Sequence, residues 1–311
     1  MNQKYKSIIL VIVIVWSFAL GFVVGKDAGM DSAPASGTQQ TTEASVGEKP
    51  TKPNLNGGTT DNGTNNGGTT DNGTNNGGTT DNGTNNPPAP TDPSQYSDEQ
   101  IVQMMNYYVN LVKAEPNMSA TKTELIKVTV TNCSVPQLVG TINSIVEGII
   151  GDGAETFNYT FANNYVSSTD DPEASTSNTP FSLIPPTNKE FKVTMEGIAD
   201  ASASVDANGN VTYTVVLVPE STTLTSPEPF HNATAIGYLD LAGLDVKPAE
   251  ISQADMSYPG STISVTVDSN DRVIKLYNKL PMTGKGQAGI AFAKGSADFE
   301  GALDETWEFT Y

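Results

Sequence analysis

Residues 57–86 read GGTTDNGTNN three times without a substitution, and this segment limits where the chain can build a core. Its Gly, Thr, Asp and Asn residues offer no apolar side chain to bury against the entropy of ordering a backbone, and its Asn-Gly pairs favour turns over helices. Calcium-binding β-rolls also repeat, but as nonapeptides. Here the unit is a decapeptide with nothing apolar in it. The repeat is therefore expected to be a solvated tether, with folded structure to one side of it.

Upstream, Lys4 and Lys6 precede the uncharged run SIILVIVIVWSFALGFVVG from Ser7 to Gly25. At about 1.5 Å per residue it just crosses a hydrocarbon core of roughly 30 Å. The lysines favour a cytoplasmic N-terminus, which leaves the rest of the chain outside. The expected organisation is a cytoplasmic residue 1–6 segment, a single-pass anchor over 7–25, a linker over 26–96 and an extracytoplasmic domain over 97–311. The alternative is a signal peptide cleaved near Gly25, giving a secreted protein, although the apolar run exceeds the usual signal core. A lipoprotein anchor is not expected, because the sole cysteine, Cys133, lies far downstream.

Pro87, Pro88, Pro90 and Pro93 stiffen the end of the linker. As a flexible coil, Lys26 to Tyr96 would span about 46 Å root-mean-square, and about 240 Å if pulled straight. This reading makes the repeats a spacer between membrane and domain.

The chain carries 16 Lys and Arg against 35 Asp and Glu, a formal net charge of −19. Nucleic acid is excluded as a partner, since binding it requires clustered cations, and adsorption to an anionic membrane face is disfavoured for the same reason. One cysteine cannot form an internal disulfide, so stability must come from the core. Cys133 is expected to be a buried small hydrophobe, or else a thiol free for intermolecular pairing.

Ser97-Asp98-Glu99-Gln100 forms a capping box ahead of Ile101, Met104, Met105, Tyr108, Leu111 and Val112 at helical spacing, and Pro116 stops the run. Ser134-Val135-Pro136-Gln137 repeats the device. Its helix carries Leu138, Val139, Ile142, Ile145, Val146, Ile149 and Ile150, a polar face so sparse that most of the helix should be covered. Beyond Gly153 the period becomes two. Phe157, Tyr159 and Phe161 alternate with polar residues, as do Phe191, Val193 and Met195; Asn208-Gly209 turns into Val211 to Leu217; Ile263 to Val267 returns through Asp268–Asp271 into Val273 to Tyr277; and Trp307, Phe309 and Tyr311 close the chain.

These patterns predict an α+β domain: a curved antiparallel sheet covered by two N-terminal helices. That element order resembles the bacterial lipoprotein-carrier family and related half-barrel lipid-binding domains. The resemblance covers Ser97 to Tyr311 and carries no specific motif. It implies a cavity between helices and sheet, with Ile145, Ile149, Phe157, Tyr213 and Trp307 as candidate lining residues; the alternative is that these side chains simply pack together.

Catalytic and cofactor motifs are missing from the sequence: no G-x-S-x-G, H-E-x-x-H, C-x-x-C, Walker loop or dinucleotide fingerprint occurs, and His231 is the only histidine. No cofactor or metal is expected. Asp206-Ala207-Asn208-Gly209-Asn210 starts like an EF-hand loop, but Val211 and Leu217 stand where glycine and a carboxylate are needed. Asp170-Asp171 with Glu173, and Asp304-Glu305, could gather a cation or supply a glycosidase pair. His231 is expected in an exposed loop. Three readings remain: a non-catalytic binding module for an apolar ligand, a cell-wall polymer or a surface protein; a structural or assembly partner; and a carboxylate-based hydrolase. The lysine bias predicts that protease added to intact cells releases the acidic domain; mature protein found free in the medium with an N-terminus near Lys26 would show cleavage instead.

Overall fold

The computed structural model describes residues 49–55, 92–150, 153–239, 250–290 and 293–311. The apolar run over 7–25 and the repeats over 57–86 lie outside these residues. Among the described residues no helix is long and apolar enough to cross a membrane.

The expected first helix forms as read. Helix α1 (Asp98–Lys113) starts at the Ser97 capping box, in which Ser97 Oγ accepts from Gln100 N and Gln100 Oε1 accepts from Ser97 N. Ile101, Met104, Met105, Tyr108, Val109 and Val112 form its buried stripe. Next comes β1 (Met118–Cys133), a strand that the apolar pattern does not reveal. Helix α2 (Val139–Ile150) follows a 3-10 turn at Pro136–Leu138.

The second capping box does not form. Ser134 Oγ instead exchanges hydrogen bonds with the backbone of Ser296. Nor is α2 largely covered. Ile142 and Val146 are buried against β1, whereas Leu138, Val139 and Ile145 are half-exposed and Glu147 and Gly148 face solvent. The apolar residues run around more of this helix than its one contact face requires.

The remaining strands are β2 (Glu155–Ala162), β3 (Tyr165–Thr169), β4 (Ile198–Val205), β5 (Val211–Leu217), β6 (Glu220–Thr223), β7 (Glu250–Tyr258), β8 (Thr262–Val267), β9 (Val273–Ile290) and β10 (Ala293–Thr310). They make one antiparallel ten-stranded sheet in the order β3-β2-β1-β10-β9-β8-β5-β4, with β7 on the far half of β9 and β6 beside it. This is a sheet-rich α+β domain. Two short helices, α3 (Pro180–Leu183) and α4 (Phe230–Ala235), lie in the connections.

The hairpins at Asn208-Gly209 and Asp268–Asp271 turn where expected, with Gly209 at φ 81° and Asp271 at φ 66°. Asp206 accepts from Asn208 N and Asn210 N, which makes that loop an Asx turn and not a cation loop. The expected strand at Phe191, Val193 and Met195 joins no ladder. Asn106 and Asn110 of α1 each exchange two hydrogen bonds with its backbone, Asn106 with Val193 and Asn110 with Phe191. Met195 opens a 3-10 turn and is exposed.

Where β2 stops pairing with β1, α2 takes over the edge: Asn143 accepts from Val130 N at 2.7 Å and donates to Val130 O at 3.0 Å. Cys133 is buried and its thiol donates to Val135 O. The split exposure of α2 sets a clear test. Ile142→Ala should cost about 2–5 kcal/mol in denaturant unfolding, and Ile145→Ala, half-exposed already, less than about half as much. Equal losses would mean that α2 is buried on both sides.

Candidate functional site

Alternate residues of a strand share a face, and on β1 the core-facing set is Met118, Ala120, Lys122, Glu124, Ile126, Val128 and Val130. Two members of this apolar row are charged. The register sets Lys122 opposite Trp307 and Glu124 opposite Glu305 on β10, and Glu305 opposite Asn278 on β9. All four polar residues are buried.

Lys122 Nζ pairs with Glu124 and lies 3.9 Å from Glu305 Oε2. It also sits 5.8 Å from the centroid of the Trp307 ring, whose Nε1 donates to Glu305. Burial alone would pull the Lys122 ammonium down, but Glu305 and Glu124 outweigh it and hold its pKa above the ordinary lysine value. Asn278 contrasts with this pairing: neither polar atom of its buried side chain has a hydrogen-bond partner among the described residues.

Aromatic rings bound the cluster. Tyr159 on β2 and Trp307 on β10 flank β1, and their centroids are 5.3 Å apart. Ala120 is the β1 residue opposite both Tyr159 and Phe309, and its small side chain leaves the rings room to meet. The Tyr159 hydroxyl donates to Asp171 Oδ2 at 2.5 Å, and burial together with this bond pushes the phenol well above its usual pKa.

Above this floor is an open cleft of about 680 Å³. Lys122, Glu124, Tyr159, Leu303, Glu305 and Trp307 form its base, the 171–189 connection forms one wall, and Ala233 and Ile236–Tyr238 contribute to its lining. The wall hangs on Lys113, the last residue of α1. Its buried Nζ donates to Ile184 O at 2.5 Å and Pro186 O at 2.7 Å. Thr179 and Ser182 cap the short α3 reciprocally.

The candidate lining residues disperse. Trp307 lies in the cleft. Tyr213 is buried in a stack with Tyr96 and Tyr108 beneath α1, and Ile145 is half-exposed on α2. Phe157 sits on β2 opposite Lys122 and does not line the cleft. The Ile149 side chain is outside the described residues.

The acidic pairs separate as well. Asp304 and Glu305 are consecutive on a strand and face opposite ways, Asp304 accepting from Tyr277 on the far face. Asp170 accepts from the Asn158 backbone and side chain, while Asp171 accepts from Tyr159 and from Glu173 N. Among the described residues no three His, Cys, Asp or Glu side chains are grouped to hold a metal ion. His231 is not in an exposed loop. It is half-buried in α4, with its ring against Gly197 where a Cβ would otherwise lie.

No family model, curated protein or solved structure matches this chain.

Lys113 gives the wall a pH signature. Burial lowers its pKa from 10.5 to about 7, with Glu305 partly opposing the shift. Between these values the unfolded chain binds a proton that the folded chain does not, so stability rises with pH. Thermal unfolding from pH 7.5 to 9.5, below ordinary tyrosine ionisation, should show a gain on the order of 1 kcal/mol per pH unit, and Lys113→Met should flatten it. An unchanged slope in the variant would place the titrating group elsewhere.

Proposed function

We propose that the chain is an extracytoplasmic, non-catalytic binding module, held at the membrane by residues 7–25, and that its cleft takes a polar, non-anionic ligand such as a glycan unit of the cell wall. The observation that carries this reading is the cleft itself, with its charged and aromatic base. An acyl chain laid there would cover the polar groups of the wall, such as Ser175, Ser177 and Asn178, without offering them hydrogen bonds. The lining includes two lysines, Lys122 and Lys189, and four carboxylates, Glu124, Asp171, Glu173 and Glu305. In a domain already acidic, that balance repels anions and suits neutral or amine-bearing polyhydroxyl ligands. Ser175, Ser177, Asn178 and Thr187 add hydroxyl and amide groups along the wall.

A carboxylate hydrolase is the second reading, because Glu124 and Glu305 stand directly opposite each other in the cleft. Such enzymes need room between their carboxylates for the scissile oxygen or a water. Here the Lys122 ammonium sits against both, which favours binding without turnover. A purely structural role is the third reading; among the described residues the exposed large apolar side chains are Tyr165, Met195, Val205, Phe230 and Tyr311.

Calorimetric titration of the full chain in detergent with a β-1,4-linked glucosamine tetrasaccharide and its N-acetylated form should give saturable binding. Thr187→Trp, placed on the exposed wall, should weaken it at least tenfold without altering the melting temperature. Binding unaffected by Thr187→Trp, or seen only with a fatty acid, would overturn the reading. Cleavage of either sugar that is lost in Glu124→Gln and Glu305→Gln would establish the hydrolase instead.

A further inference from the structure

Residues 49–55 precede the repeats, yet they lie on the domain. Lys52 Nζ reaches both carboxylate oxygens of Asp271, at 2.7 and 2.8 Å, and sits 5.7 Å from the centroid of the Tyr108 ring. Asp271 also accepts from the Tyr108 hydroxyl at 2.5 Å. Three residues beyond Lys52, Leu55 is half-buried against the core.

The described residues begin again at Asp92, and the 3-10 turn Pro93–Gln95 packs against β4. Tyr96 then stacks on Tyr213 at 6.4 Å between centroids, and Tyr213 stacks on Tyr108 at 5.7 Å. Tyr108 is thus the common contact: directly with Lys52 before the repeats, and through Tyr213 with Tyr96 after them.

We propose that residues 50–55 are a clasp, and that the interval holding the three decapeptides is a side loop whose two ends meet at the Tyr108 stack. The path from the N-terminus to the domain then bypasses the repeats. Duplicating or deleting a decapeptide changes the size of the side loop and leaves the reach of the domain untouched. The clasp should tolerate such changes, because the entropy of joining loop ends grows only with the logarithm of loop length. For the reach from a membrane, which rests on the anchor reading above, only residues 26–48 remain as span. Fully extended they cover about 80 Å, against about 240 Å for the whole linker.

The clasp itself is tested without reference to the membrane or to the cleft. In the full chain with Cys133→Ser, nitroxide labels at Thr51→Cys and Ser269→Cys report the distance across it by pulsed electron spin resonance. The expected result is a single narrow distance that stays the same when one or two decapeptides are deleted and broadens when Lys52→Glu and Leu55→Asp are combined. A broad distribution that contracts with each deletion would overturn the clasp and return the repeats to the span, with ligand binding in the cleft unaffected.

Discussion

Lys122 and its two glutamates impose the constraint around which the sheet is organised. Burying an ammonium and two carboxylates on the core face is tolerable only if they meet one another. They meet because β1 and β10 pair in the one register that sets Lys122 beside Trp307 and Glu124 beside Glu305. A slip of β1 by one residue would turn Lys122 and Glu124 to the opposite face, part them from Glu305, and bring Thr123 and Leu125 inward. Helix α1 crosses the half of the sheet made by β4, β5, β8 and β9, α2 packs on β1 near Val130, and the cleft lies over the charged part.

Floor and wall of the cleft are held by different means. The floor rests on the β2-β1-β10-β9 ladder, with long strands paired on both sides. The wall is attached by single bonds, most of them from side chains: Lys113 grips two carbonyls, Asp171 holds Tyr159, the Glu220 carboxylate binds the backbone of His231 and Asn232 at the start of α4, and one backbone bond runs from Val166 N to Asn178 O. Local opening is cheaper where few backbone ladders are involved. The wall can therefore yield while the charged floor keeps its geometry.

Several self-contained local signals were readable from the sequence, although the second capping motif failed because Ser296, distant in sequence, takes the Ser134 hydroxyl. The Ser97 capping box, the stripe of α1 and the Asn208-Gly209 and Asp268–Asp271 hairpins all depend on neighbours within a few residues. β1 was not legible, because Lys122 and Glu124 interrupt its apolar alternation at the two positions that build the site. Glu305 interrupts β10 and Asn278 interrupts β9 in the same way. These breaks become a site only when the register aligns them in adjacent rows, and register between segments far apart in sequence is not a local property. Phe191 and Val193 misled for the converse reason: their alternation reflects an extended backbone, but its partner is a helix.

The two asparagines on α1 perform the task of a neighbouring strand, and their geometry limits how far it can go. Four residues of helix advance about 6.0 Å and two residues of extended chain about 6.6 Å, so Asn106 and Asn110 meet Val193 and Phe191 with a small mismatch shared between two rungs. A third rung would double the misfit to more than about 1 Å, beyond what an amide can absorb while keeping two hydrogen bonds. The extended chain indeed leaves the helix after Val193, turning at Met195–Gly197. Helix and strand here act like the two scales of a vernier, coinciding over one short interval, and that interval fixes where the connection to β4 begins.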